Sequence, residues 1–193
     1  MDNEKMKKLI AECALHECIS LEEIPDMKLY MEQVTQFIDQ KLEPSKRNET
    51  DKILTKTMIN NYTKAGILMP PQKKKYTKNH MILMILVYQL KQVLSLDDIK
   101  KIFGKVLNDM DTTEDDLISL EDIYEMFNDL KKTGFGNVED ILEQNIEQIK
   151  SNTENIEDPL IKEQAENFLL VISLIAQANA LKRLSEKIID TMF

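Results

Sequence analysis

A chain of 193 residues and 22.5 kDa has room for one large or two small domains, each with its own core. With 42% hydrophobic and 31% charged residues it reads as soluble and globular, and four glycines and five prolines leave little material for hairpins, which argues against a β-rich fold. The net charge of −9 hides a segregation: from Lys52 to Lys105 eleven lysines face two acids, giving +9, while the remainder holds 14 basic and 32 acidic residues, giving −18.

The N-terminus, MDNEKMKKLIAECALHEC, is amphipathic and charged rather than an apolar run with a cleavage site. No apolar stretch reaches the roughly 18 residues of a membrane span, so a cytoplasmic protein with no membrane partner is expected. Met6, Leu9, Ile10, Cys13 and Ala14 recur at helical spacing and predict a first helix over 3–19, within an N-terminal segment 1–25. Cys13 and His16 share a helical face, but Cys18 lies about 140° away and a fourth ligand is absent, so no metal site is expected. Two cysteines in a cytosolic chain read as reduced thiols.

A second helix is predicted after Asp26, a suitable N-cap, through MKLYMEQVTQFIDQKL, with Leu29, Val34, Phe37, Ile38 and Leu42 as its apolar stripe. PSKRNETD, 44–51, is a polar connection. The basic block follows. Thr55 is a good N-cap for a short helix that ends at Gly66, with Leu54, Met58, Tyr62 and Ala65 on one side and Lys56, Asn60, Thr63 and Lys64 opposite. Pro70 and Pro71 preclude regular helix, and Ile67-Leu68 and Lys75-Tyr76 are expected to pair as a two-stranded ribbon. Thr77 then caps a helix, and MILMILVYQL within it is apolar enough to be central to the core; Ser95 and Asp98 have capping-box spacing for a further helix through Lys105.

Beyond Asn108 the composition turns acidic, with Asp109–Asp116 as the predicted linker. A helix through LISLEDIYEMFNDLKK should end at Gly134-Phe-Gly136 and another should span 138–150. Pro159 opens a last helical pattern of about thirty residues, in which FLLVISLIA, 168–176, is apolar nearly all round and is expected to be buried against neighbours or in a subunit interface. The organisation expected is thus an N-terminal helix (1–25), a basic domain (26–108) and an acidic helical half (109–193) for dimerisation or effector sensing.

Catalytic constellations are scarce. With two histidines and four glycines there is no Ser-His-Asp or Cys-His set, no phosphate-binding glycine loop and no metal-ligand cluster, so no enzymatic activity and no cofactor are expected. A compact basic block is instead the electrostatic footprint of a nucleic-acid-binding module. Thr55, Lys56, Thr57, Asn60, Asn61 and Lys64 are the candidates to enter a major groove, where asparagine bonds an adenine edge and lysine reaches guanine or phosphate. Lys73, Lys74, Lys75 and Lys78 are the candidates for the flanking backbone of double-stranded DNA. The competing reading is a helical interaction module whose basic block docks an acidic partner or its own acidic half.

The segment Tyr62-Thr-Lys-Ala-Gly66-Ile67-Leu68-Met69-Pro70 resembles the Tyr-x-x-x-Gly-(Leu/Ile)-Leu-x-Pro signature that ends the recognition helix of the MerR family. Tyr76 and Val93-Leu94-Ser95-Leu96-Asp97-Asp98-Ile99 are similar to the tyrosine after that family's wing and to its later Ser-Leu-x-x-Ile turn. The resemblance covers about Lys52 to Lys105 and implies a mostly α fold: a MerR-like winged helix-turn-helix domain with a short β-hairpin wing, followed by an all-α C-terminal half. Asn60 and Asn61 stand where the MerR pattern places Arg-Tyr, and sensor cysteines are missing, so metal sensing is not implied. LTKTMINNYTKAG and KKKY also resemble a bacterial family catalogued as domain of unknown function 1836, which supplies no activity to transfer.

Overall fold

The computed structural model describes residues 3–13, 17–106 and 118–193; the predicted linker Asp109–Asp116 and His16 lie outside them. The elements are α1 (Asn3–Glu12), β1 (Leu29–Tyr30), α2 (Met31–Lys41), a 3-10 turn (Glu43–Ser45), α3 (Lys56–Lys64), β2 (Lys75–Tyr76), α4 (Lys78–Lys91), α5 (Leu96–Val106), α6 (Leu120–Asn152) and α7 (Pro159–Met192). The fold is mostly helical with one small antiparallel sheet. Two compact units emerge: one of Glu17–Asp129 with Glu186–Phe193, the other of α1 with Leu130–Ser185.

In the first unit α4 is the central element. Its consecutive residues Met81 to Val87 are all buried, and a helix apolar on every side must be covered on every side. Val34 and Ile38 of α2, Ile59 and Tyr62 of α3, Ile99 and Phe103 of α5, and Tyr124 of α6 share its core cluster. The reciprocal Ser95–Asp98 cap of α5 forms as predicted, with the Asp98 amide donating to Ser95 Oγ (3.1 Å) and the Ser95 amide to Asp98 Oδ2 (3.3 Å).

Four expectations about helix ends and strand pairing are corrected. The first helix stops at Glu12 rather than 19, and Ile19 is drawn into the core outside any helix, its carbonyl accepting from the Tyr124 hydroxyl (2.7 Å) and Asn128 Nδ2 (3.1 Å). Asp26 is not the cap of α2; Leu29 and Tyr30 are taken up by the sheet, and the helix starts after Tyr30, whose amide donates to Gln33 Oε1 (2.9 Å). The strand partner of Lys75-Tyr76 is Leu29-Tyr30, in the register Leu29↔Tyr76, not Ile67-Leu68. Ile67 and Leu68 are both buried in the core, and adjacent side chains on a strand would point to opposite faces. Their amides instead close the end of α3 on the Tyr62 carbonyl (3.0 and 3.3 Å), with Gly66 at φ 71°.

The fourth concerns α6, which runs unbroken through Gly134 and Gly136. A methyl added at either glycine would meet nothing within 4 Å, so they are open surface positions in a helix, not stops. In the second unit α6 and α7 pack through Leu142, Ile146, Ile149 and Leu170, with Met6 and Ile10 of α1 alongside. Asp158 caps α7, its Oδ1 accepting from the amides of Leu160 (2.8 Å) and Ile161 (3.1 Å). The 168–176 segment is not buried all round: Phe168, Val171, Ile172 and Ile175 remain 43–66% exposed on the side away from Leu170. By length and composition alone α7 also qualifies as a membrane-span candidate, its best window having a mean hydropathy of 1.3, although polar residues such as Ser173 and Gln177 interrupt the apolar run.

Candidate nucleic-acid interface

The candidate surface is built on α3. Thr55 caps it as predicted, its Oγ1 accepting the Met58 amide (3.2 Å). The buried side consists of Ile59 and Tyr62, with Met58 half-buried; Ile59 had no place in the sequence-level assignment of faces. Its burial turns Lys56, Thr57, Asn60, Asn61 and Lys64 to the exposed side, and Thr55 is half-buried. Burial pushes the Tyr62 hydroxyl pKa above its ordinary value, so this anchor stays neutral.

The lysine run forms a tight turn. The amides and carbonyls of Gln72 and Lys75 exchange two hydrogen bonds of 3.0 Å, and the central residues Lys73 and Lys74 sit at φ 51° and 66°. Two central residues with positive φ make a type I′ turn, for which Asn-Gly is the usual sequence. Both lysine side chains are exposed at its tip. Lys75 behaves differently: its ammonium lies 5.1 Å from the centroid of the Tyr30 ring and anchors the base of the turn. Beneath it the buried His80 (3% exposed) takes the Thr77 amide on Nδ1 (3.1 Å), places Nε2 3.4 Å from the Pro70 carbonyl and meets Tyr76 edge-on. His80 is therefore a buried capping residue.

The start of α3 and the base of the turn converge on the start of α2. Lys56 Nζ is 2.5 Å from Glu32 in the first turn of α2, and Tyr30 immediately precedes that helix. The Lys56 ammonium holds the Glu32 carboxyl below its ordinary range. Lys28 reaches Gln72 Oε1 (2.9 Å) and ties β1 to the turn. Lys78 points elsewhere: it is largely buried and 3.4 Å from Glu121 of α6. Thr57, Asn60, Asn61, Lys64, Lys73 and Lys74 thus stay outward, while Lys56, Lys75 and Lys78 are engaged within the fold.

One further cation stands at this surface. Lys100 of α5 brings its Nζ to within 3.4 Å of the point where a side chain at Gly66 would begin, so it stands over the C-terminal end of α3. The signal was available in the glycine that opens this space and the Ser95 cap that aims α5.

A family model described as Domain of unknown function (DUF1836) matches residues 19–127, more than half of the chain. That span nearly coincides with the main segment of the first unit, Glu17–Asp129. No curated protein and no solved structure matches.

Proposed function

The chain belongs to the DUF1836 family, and for this member we propose a DNA-binding transcriptional regulator that reads duplex DNA with α3 and steadies the flanking backbone with the Lys73–Lys74 turn. The observation that supports this most is the division of α3. Ile59 and Tyr62 lock one side into the core while an unbroken row of amides, hydroxyls and a lysine faces solvent beside a lysine-tipped turn. In this reading α2, the connection and α3 are a helix-turn-helix pair. The β1–β2 sheet with its turn is the wing, in an arrangement like that of MerR domains. Asn60 and Asn61 supply bidentate contact to adenine edges, and Lys64, Lys73, Lys74 and Lys100 supply phosphate contacts. About four to six neutralised phosphates per chain give a slope of log affinity against log salt of roughly −4 to −5. A second copy joined through the exposed face of α7 would double that slope and impose half-site symmetry.

The test is fluorescence anisotropy of the full chain with short duplexes over a salt series. Asn60→Ala is expected to lose preference among duplexes and Lys64→Ala to weaken all of them alike. Absence of binding at low salt refutes the proposal.

One observation favours a second reading, a helical interaction module on the same scaffold that does not bind DNA. Lys56, Lys78 and Lys101 are ion-paired with Glu32, Glu121 and Asp190 inside the first unit, so part of the basic block serves the fold. Under that reading the same titration gives no salt-dependent signal.

A further inference from the structure

A cleft of about 360 Å³ opens on the first unit between the 42–53 connection, α3 and the last turn of α4. Four of the lining residues are cationic, Lys46, Arg47, Lys52 and Lys91, against the single carboxylate of Asp51. Asp39 offsets one of the four, and Asp51 leaves an excess of two positive charges. Lys46 is already 3.0 Å from Asp39, and Asp51 is turned onto its own loop, accepting the Asn48 amide (3.0 Å). Arg47 and Lys52 have no ion pair or hydrogen bond among the described residues, and Lys91 spends one proton on the Leu94 carbonyl (3.2 Å). Tyr62 and Tyr88 also line the cleft, the Tyr88 hydroxyl 3.3 Å from Ser45 Oγ, and Ile53 and Met58 add apolar lining.

We infer that this cleft binds a small organic phosphate of about sugar-phosphate size. A guanidinium and two ammonium groups around one space suit a compact dianion with several oxygens, and the apolar lining suits the carbon body attached to it. The volume lies in the lower part of the range for small-molecule sites, roughly 300–1,000 Å³. A phosphate of bound DNA is a poor occupant. At about 100° per residue, Met58 and Tyr62 point to the side of α3 roughly opposite Lys56 and Asn60, so the cleft lies behind the face proposed to meet a groove. A ligand there bears on α3 through Met58 and Tyr62 and is placed to shift that helix. The inference concerns binding to the free chain and stands independently of the DNA-binding proposal.

The chain has no tryptophan and five tyrosines, two of which line the cleft, so tyrosine emission of the full chain reports occupancy. Titration with ribose 5-phosphate is expected to saturate, at lower concentration than inorganic phosphate, with no response to ribose. Arg47→Gln and Lys52→Gln, both at exposed positions and checked for folding by circular dichroism, should each weaken binding about tenfold. Lys105→Gln, the same charge change outside the cleft, should leave it unaltered. No saturable signal with ribose 5-phosphate overturns the inference. So does equal weakening by Lys105→Gln, which would reduce the effect to net charge.

Discussion

Replacing Lys73-Lys74 by Asn-Gly should make the protein more stable and a weaker DNA binder at once. Both lysines occupy the left-handed region, at φ 51° and 66°, where a residue with a Cβ is disfavoured by about 1–2 kcal/mol. Asparagine tolerates this region through local hydrogen bonds of its short side chain and glycine has no Cβ, so Asn-Gly relieves most of that, while the extra freedom of glycine in the unfolded chain returns about 0.5–1 kcal/mol. The net expectation for Lys73→Asn/Lys74→Gly is a stabilisation of about 1–2 kcal/mol, read by urea unfolding of the full chain. Removal of two phosphate-contacting charges should make the salt slope of DNA binding shallower by roughly 1.8. Lys73→Ala/Lys74→Ala separates the two effects, since it loses the same charges but keeps a Cβ at both positions, and so should match the affinity loss without the gain in stability. If the Asn-Gly variant is no more stable than the Ala-Ala variant, the turn is not strained. If the salt slope of both variants equals that of the parent, these lysines do not touch DNA.

Tyr124 governs an alkaline limit. Burial pushes its hydroxyl from 10.0 up to about 12, so the unfolded chain ionises first, and stability present below pH 10 falls as the pH rises toward 12, by about 2–3 kcal/mol in all. Unfolding followed against pH should show this fall, and Tyr124→Phe should flatten it while costing about 1 kcal/mol at neutral pH through loss of the bond to Ile19. A parent whose stability stays flat between pH 10 and 12 contradicts the assignment. Gly134→Ala and Gly136→Ala, with open space where each methyl would sit, should each raise stability by about 0.5–1 kcal/mol. A lowered melting temperature in either variant means that α6 breaks there.

Much of the first unit was legible because its signals are local. Thr55, Gly66, Thr77 and the Ser95–Asp98 pair act within a few residues of themselves, and each marks a helix end where the sequence places it. The all-apolar run of α4 required a central position whatever surrounds it. The misread features depend on partners far along the chain. Strand β1 exists because Lys75-Tyr76, some 46 residues later, pairs with it. Ile19, expected inside the first helix, is held instead by a hydrogen bond to Tyr124, 105 residues away. Gly134 and Gly136 misled because glycine lowers helix propensity without forbidding helix. Within the candidate interface, the polar character of α3 was readable, but the engagement of Lys56 and Lys78 was not, since Glu32 and Glu121 lie on other helices. The anion-accepting cleft was equally hidden, because the connection, α3 and α4 meet only in the folded chain.

The burial of α4 on every side has a consequence for synthesis. Its apolar run leaves the ribosome before α5 and the start of α6, which supply part of its cover, have been made. Until then a stretch rich in isoleucine, leucine and methionine is open to association with other nascent chains. Lys73, Lys74, Lys75 and Lys78 precede it and Lys91 follows it, and flanking charges of this kind act as gatekeepers that keep such segments apart by mutual repulsion. Lysines that face solvent in the folded protein, Lys73, Lys74 and Lys91, thus have an earlier role beside Lys75 and Lys78, which are drawn into the fold.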